Sequence, residues 1–345
     1  MAALLERSLR RVLRVVTRTL KSNRTLKNLI GDSHNAGLFT NLRAHEIMLA
    51  DTVRVETYRL GIQRCVPPGS VVLDLGTGTG LLAMFAARHG ARKVYAVDHS
   101  DFIEVAKHLA AANDVHSIEF VQANSRSYTP PEQVDVILHE QLGTGCFDEN
   151  MVSNLLDLKR RALRQGGRIL PGRFELFMEP VTLKPSFVVP PITAIDIDDI
   201  DFACLRDVER LESYKRSEHH LNPHDARLAV DRFVSQPEPF LTVDLNEIDD
   251  ERQLPSTATV TRVLPHGGAV DGFCLYFRVI FDEATAFDTA PLSRYTHWGN
   301  RLYRAATRTY QPGDRITYRI VLQPLTEARQ WTVRYLDADG REVSP

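Results

Sequence analysis

The stretch Val71-Val72-Leu73-Asp74-Leu75-Gly76-Thr77-Gly78-Thr79-Gly80 runs from a short apolar segment into three glycines and then into Leu81-Leu82-Ala83. A ligand that lies against the backbone needs residues without a Cβ beside it, and a helix start favours polar or negative groups. Asp98 follows at the end of the next apolar run, about 20 residues on, where a carboxylate can hydrogen-bond ribose hydroxyls. The bland reading of these residues is a tight strand-to-helix turn and a surface aspartate. The order strand, glycines, helix, strand, acid favours a nucleoside-like ligand.

These residues need a frame. Apolar runs predict strands at 71–75, 94–97, 118–121 and 134–138, with helices at 81–89 and 102–113 between them, and a further helix over 44–63 precedes them. Strands separated by helices of that length imply a parallel, doubly wound Rossmann-like α/β sheet. After Pro171 the character changes: alternating runs at 175–181, 257–263, 273–281, 315–322 and 330–335 read as antiparallel strands. Turns such as Pro312-Gly313-Asp314 join them, and the pattern predicts a β-barrel. The expected organisation is a basic amphipathic helical segment over 1–43, a ligand-binding domain over 44–171 and a barrel domain over 172–345. Residues 185–256, rich in Pro and Asp and with a helix expected over 206–215, read as an insertion or arm.

The chain has 345 residues, which exceeds the usual single-domain range and fits two packed units. Its hydrophobic fraction of 43% and charged fraction of 25% exclude disordered and fibrous classes. A net charge of −2 argues against a nucleic-acid-coating protein. That balance hides a split, because residues 1–30 carry eight Arg and Lys against Glu6 alone, which leaves −9 on the rest. Cys65, Cys146, Cys204 and Cys274 lie far apart with no metal-ligand spacing, so no metal is expected and a reducing, cytoplasmic setting is. No apolar run is long enough to predict a membrane span.

The G-x-G-x-G spacing with Asp74 just before it resembles the first motif of class I S-adenosylmethionine-dependent methyltransferases. Residues 73–87 with Gly90-Ala91-Arg92-Lys93-Val94 are similar to the protein arginine methyltransferase family. The helix His45-Glu46-Ile47-Met48-Leu49-Ala50-Asp51-Thr52-Val53-Arg54 carries the same resemblance. So do the loop from Glu140 to Glu149, the junction Leu170-Pro171-Gly172-Arg173 and the tripeptide Thr296-His297-Trp298. Together these cover most of residues 44–345, and the family pattern is that of a divergent, bacterial-type member.

The resemblance implies S-adenosylmethionine as cofactor, held by Arg54, Asp74, Gly76, Thr77, Gly78, Gly80, Leu81, Asp98, His99, Asn124, Ser125 and Glu140. It implies catalytic roles for Glu140 and Glu149, whose nine-residue separation matches the family's double-glutamate loop, and for an Asp51–His297 pair that helps remove the acceptor's proton. A guanidinium is planar and offers five donors, so two carboxylates can grip it and draw its charge away from the nitrogen to be methylated. Met48, Met151 and Trp298 complete the implied acceptor pocket with Glu140, Glu149 and His297. Taken alone, two loop glutamates are solvated charges, Arg54 is a surface arginine paired to Glu56 or Asp51, and the two methionines are core.

Departures from the family pattern are local. The amino-terminal aromatic motif appears only as Asn35, Ala36 and Phe39, the Trp-Met-Gly after the first glutamate is Gln141-Leu142-Gly143, and the Ser before it is His139. Three readings follow. The first is methylation of arginine in a protein or peptide, which the acidic body would attract. The second is methylation of free arginine or another small guanidine or amine, held by extra charges such as His139 or Arg126. The third is a non-catalytic partner that retains the fold. The family's arm after the first barrel strand corresponds to residues 186–222, where Ile192, Ile195, Ile197, Ile200, Phe202 and Leu205 predict a homodimer. Residues 1–30 read as an arm that docks on an acidic body, binds an anionic surface or is a solvated helix, in that order.

Overall fold

A computed structural model describes residues 41–189, 192–208 and 223–343. The expected amphipathic helix of residues 3–22 and the altered aromatic motif at Asn35, Ala36 and Phe39 lie outside the described residues. The chain enters through α1 (Leu42–Ala50) and α2 (Thr52–Cys65). The sequence reading expected one helix across 44–63. The break falls at Asp51, whose backbone leaves the helical region and whose carboxylate accepts the Arg54 N–H, so that α2 starts anew on its own cap. Apolar periodicity continues across this point, which is why it does not show in the pattern.

Five strands follow: β1 (Val71–Leu75), β2 (Lys93–Asp98), β3 (Ile118–Gln122), β4 (Val134–His139) and β5 (Leu163–Leu170). They form a parallel sheet in the order β3-β2-β1-β4-β5. Every residue of β1 is buried, as expected for a central strand covered on both faces. Helices α3 (Leu81–Arg88), α4 (Ile103–Ala112) and α5 (Met151–Ala162) supply the crossovers and covers. The strand order reverses between β1 and β4, where Leu75 pairs with His139. An open sheet of this type presents its ligand site outside the carboxyl ends of the strands at such a reversal. The glycine loop leaves β1 there and Glu140 leaves β4 there, so topology alone brings them together.

The antiparallel region begins with β6 (Arg173–Leu183). Next come the short hairpin β7 (Asp196–Ile197) and β8 (Ile200–Asp201), then α6 (Pro223–Ala229), β9 (Val230–Phe233), β10 (Leu241–Asp244) and β11 (Thr257–Val263). It continues with β12 (Gly268–Asp282), β13 (Thr285–Asp288), β14 (Arg301–Tyr310), β15 (Arg315–Val321), β16 (Thr332–Leu336) and β17 (Glu342–Val343). Strands β10-β6-β12-β13 form one sheet, with β14 on β12 and β9 on β6, and β11-β15-β16-β17 form the other. The two curl into a barrel-like unit, and β15 shows the alternation of a strand with one face inside. Strands β5, β9, β10, β13 and β14, and the two-residue strands β7, β8 and β17, are not expected from the sequence. β14 carries Arg301, Arg304 and Arg308 among its apolar residues, and Gly166-Gly167 interrupt β5, so neither reads as a hydrophobic run. The helix expected over 206–215 is, in its described part, the end of a 3₁₀ turn at Phe202–Asp207.

The two units share one hydrophobic core, in which Tyr58 of α2 meets Phe281 of β12 edge-on at 4.9 Å and Phe287 of β13 at 6.4 Å. Gly61 makes this approach possible, since a Cβ there would lie 2.2 Å from the Phe281 ring. Gly61→Val should therefore destabilise the protein by about 1–3 kcal/mol through overpacking, measured as a lowered denaturant midpoint. An unchanged midpoint would mean that α2 does not bear on the barrel in this way.

Candidate active site

The glycine loop is held from below and from the side. Asp74 is fully buried at the end of β1, where its Oδ2 accepts from Thr77 Oγ1 at 2.6 Å and from the Ala83 N–H at 3.2 Å. Burial raises its pKa to about 6 against the pull of those two bonds. Asp98 Oδ2 accepts the Gly78 N–H at 2.9 Å, and its Oδ1 accepts from Ser100 N and Oγ. Gly78 has φ +51, and a Cβ there would meet the His45 ring at 3.0 Å, so the loop must stay bare on the side that faces α1.

A cleft opens over this loop, lined by His45, Met48, Arg54, Gly76, Thr77, Gly78, Leu81, Asp98, His99, Glu140 and Gln141 among others. Arg54, projected from the first turn of α2, binds both carboxylate oxygens of Glu140 through Nε and Nη2 and donates from Nη1 to the Met48 carbonyl at 2.9 Å. The alternative pairing with Glu56 does not occur, because Arg59 holds Glu56. Three of the five guanidinium N–H groups are thereby engaged. Two remain for the carboxylate of an amino-acid-bearing cofactor, in a site where burial lowers the arginine pKa against the opposing charges of Tyr58, Asp51 and Asp74. A bare glycine wall, a ribose-reaching acid and a buried arginine fit S-adenosylmethionine.

Asp51 and His297, 246 residues apart, meet beside the main chain of Arg54. Asp51 Oδ2 accepts the His297 main-chain N–H at 2.7 Å and pairs with His297 Nδ1 at 2.9 Å, while Oδ1 caps α2 through Arg54 N. Burial pushes the Asp51 pKa up, but the bonds from the His297 ring and from the Arg54 and His297 amides outweigh it and hold the carboxyl below its usual range. The barrel thus delivers an imidazole to a carboxylate fixed on the first unit.

Other site residues expected from sequence lie differently. Trp298 is only 4% exposed, stacks on Phe287 at 5.3 Å and donates Nε1–H to the Leu142 carbonyl at 2.7 Å, so it anchors the loop after β4 from behind. Met48 lines the cleft, whereas Met151 is fully buried at the start of α5 in the core. Gly80 backs onto Ala106 of α4, and Asn124 and Ser125 follow β3, the Ser125 carbonyl accepting from Arg161. Glu149 belongs to the 3₁₀ turn Asp148–Asn150, and its side chain lies outside the described atoms. That turn is fixed by Asp148, which accepts the Gly145 N–H, and by Gly145, where a Cβ would meet Ala328 at 2.3 Å.

Two contributors went unassigned in sequence: His45 stacks on Phe102 at 3.8 Å and 16° to form a lid beside Gly78, and Gln141 lines the cleft next to Glu140. His45 lay within a quoted motif, but nothing in its spacing points to Phe102. His139, offered by sequence as a holder of a small substrate's charge, is fully buried. Its Nε2 meets the Pro171 carbonyl at 2.8 Å and its Nδ1 faces the Gln141 N–H at 3.4 Å, partners that select the neutral Nε2–H form.

Comparison with known proteins gives this geometry its setting. A family profile described as "Methyltransferase domain" matches residues 72–167, and one described as "Arginine methyltransferase oligomerization subdomain" matches residues 196–336. Protein arginine N-methyltransferase 6 of Danio rerio is 31% identical over 279 residues, 75% of each chain. The chain belongs to the protein arginine methyltransferase family. Protein arginine N-methyltransferase PRMT10 of Oryza sativa subsp. japonica is 30% identical over 74% of each chain. The fold matches the Trypanosoma brucei PRMT1 enzyme-prozyme complex with AdoHcy, with a TM-score of 0.74, 23% identity and coverage of 88% of this chain and 96% of that one. It also matches Arabidopsis thaliana protein arginine methyltransferase 10, with a TM-score of 0.70, 21% identity and coverage of 90% and 98%. This member of the family is an S-adenosylmethionine-dependent methyltransferase.

Its buried histidine makes a pH prediction. Burial lowers the His139 pKa to about 4 from 6.5, so folding requires the neutral ring. Stability is full above pH 6.5 and is lost as pH falls from there toward 4, by about 3 kcal/mol at most at 1.36 kcal/mol per unit. Asp74, raised to about 6, acts in the opposite sense over the same window, so the check is the difference between variants: relative to His139→Asn, the wild type should lose up to this amount of stability between pH 6.5 and 4 in denaturant melts.

Proposed function

We propose that this protein transfers a methyl group to a guanidino nitrogen of arginine in a protein or peptide. The observation that carries this reading is the Arg54–Glu140 pair in the cleft over the glycine loop, with Asp51 tying the Arg54 main chain to His297. Bound S-adenosylmethionine supplies the electrophilic sulfonium methyl.

Glu140 is already oriented by Arg54, which uses one lone pair on each carboxylate oxygen and leaves the others to accept from an acceptor guanidinium. Glu149, carried by the turn that closes the loop, is the second grip. The two carboxylates draw positive charge toward the nitrogens they hold and leave electron density on the nitrogen to be methylated. Fixing that nitrogen in line is the larger part of the rate enhancement. His297, aligned by Asp51, takes the proton the acceptor loses. A groove of about 660 Å³ between α2 and the barrel, lined by Thr52, Glu56, Asp288 and Arg294 among others, gives room for residues flanking the acceptor.

The small-guanidine reading is not favoured. His139 is sealed in the core, and Arg126 donates to Asn154 of α5, so neither lines the cleft to hold an amino acid's own termini.

A homodimer fits the surface. Ile192, Ile197 and Ile200 of the arm are exposed, and so are Ile47, Leu49, Leu60, Val105 and Leu109 on the outer helices, which gives two apolar sets suited to meet between copies. The four cysteines are free thiols, which suits a reducing compartment such as the cytoplasm. No helix among the described residues is long and apolar enough to cross a membrane.

Mass spectrometry should detect methylation of an arginine-rich peptide and not of free arginine. Glu140→Gln and His297→Ala should each lower kcat by roughly 10²–10⁴-fold, while Asp51→Asn should lower kcat and also loosen α2. Wild-type protein that binds the cofactor but methylates no arginine acceptor would end this reading.

A further inference from the structure

The loop between β13 and β14 carries His297, and an arginine outside the cofactor cleft grips its middle. Arg227 of α6, the helix that leads out of the arm, donates from Nη1 to the Ala290 carbonyl at 3.0 Å and from Nη2 to the Ser293 carbonyl at 2.5 Å. Its guanidinium also lies over the Tyr295 ring, 5.6 Å from the centroid. Arg227 is only 9% exposed, and burial lowers its pKa against the opposing charges of Tyr295, Asp288, Cys274 and Asp51. Elsewhere the loop is tied at its ends, by Asn300 Nδ2 to the Thr289 carbonyl at 2.7 Å and by His297 to Asp51. Between those ties, Ala290, Ser293 and Tyr295 rest on Arg227.

An arginine is chemically apt for this task. Its fork can hold two carbonyls of one loop at a fixed spacing while its plane packs on an aromatic ring, which an ammonium cannot do. A surface loop held by two ends would let the imidazole wander, and a misplacement of about 1 Å can cost roughly 10²-fold in rate.

We propose that Arg227 is a positioning residue for catalysis, fixing the loop that presents His297 to Asp51. The proposal rests on the assignment of His297 to proton removal. The Arg227 guanidinium is engaged by Ala290, Ser293 and Tyr295, none of which lines the cofactor cleft, so it acts on turnover and not on cofactor binding.

The test uses the full chain and the variants Arg227→Ala and Arg227→Lys. Arg227→Ala should raise amide hydrogen exchange across residues 290–298 by at least tenfold and lower kcat for an arginine-rich peptide by at least tenfold. The dissociation constant for S-adenosylhomocysteine should stay within twofold. Arg227→Lys, which keeps a charge able to donate to one carbonyl, should recover part of both effects. Exchange and kcat both within twofold of wild type would overturn the proposal, as would a kcat loss matched by equal loss of cofactor affinity. If the wild type turns over no acceptor, the functional reading fails, and the exchange measurement still decides whether Arg227 fixes the loop.

Discussion

Asp51 is asked to satisfy three donors with two oxygens, and the active site is built around the way it does so. One oxygen caps α2; the other takes both the main chain and the ring of His297. The cap fixes where α2 begins, and the first turn of α2 is what aims Arg54 at Glu140. A carboxylate at a helix start also lies in the favourable field of the helix dipole, which helps keep it ionised although it is buried. One side chain therefore sets the origin of a helix, the direction of an arginine and the seat of a histidine from the other structural unit. Removing it would cost more than a cap, because two buried donors from the barrel would lose their acceptor together.

The Arg54–Glu140 pair extends this logic. Buried ion pairs seldom add stability, since desolvation consumes what attraction returns, but taking away one partner leaves an uncompensated charge at a cost of about 3–5 kcal/mol. A pair retained at the mouth of a ligand cleft is thus better explained by placement than by stability. Each partner holds the other in the orientation that a ligand then uses, so little reorganisation is left for the moment of binding. The rest of the loop is steadied by Trp298 on the Leu142 carbonyl, Asp148 on the Gly145 N–H, Gly145 against Ala328 and His139 on the Pro171 carbonyl.

Residues that act through chain-local spacing were readable from sequence. The glycines, Asp74 and Asp98 lie on consecutive strands, so counting along the chain places them in space. Glu140 follows from β4 in the same way. The Asp51–His297 pair spans 246 residues, and no periodicity links them; only resemblance to a family did. The break at Asp51 escaped because hydrophobic periodicity is blind to a cap. Met151 and Trp298 were assigned to the acceptor pocket by position, whereas packing puts Met151 in the core and Trp298 behind the loop. His45 on Phe102 and Arg227 under the His297 loop are tertiary juxtapositions with no local signature at all.

The departures from the family pattern divide once they are placed. His139 stands where the family has Ser, yet it points away from the cleft and spends both ring nitrogens on the junction at Pro171 and the backbone of Gln141. Its effect on chemistry can only be indirect, through how firmly the two units are joined. Gln141 stands where the family has Trp, and it lines the cleft, with a buried side-chain oxygen that has no partner among the described residues. A buried carbonyl oxygen without a donor is costly, so this position gains from any bound group that brings an N–H. Of the two neighbouring changes, Gln141 is therefore the one that alters what the cleft recognises, and His139 is the one that alters what holds the cleft in place.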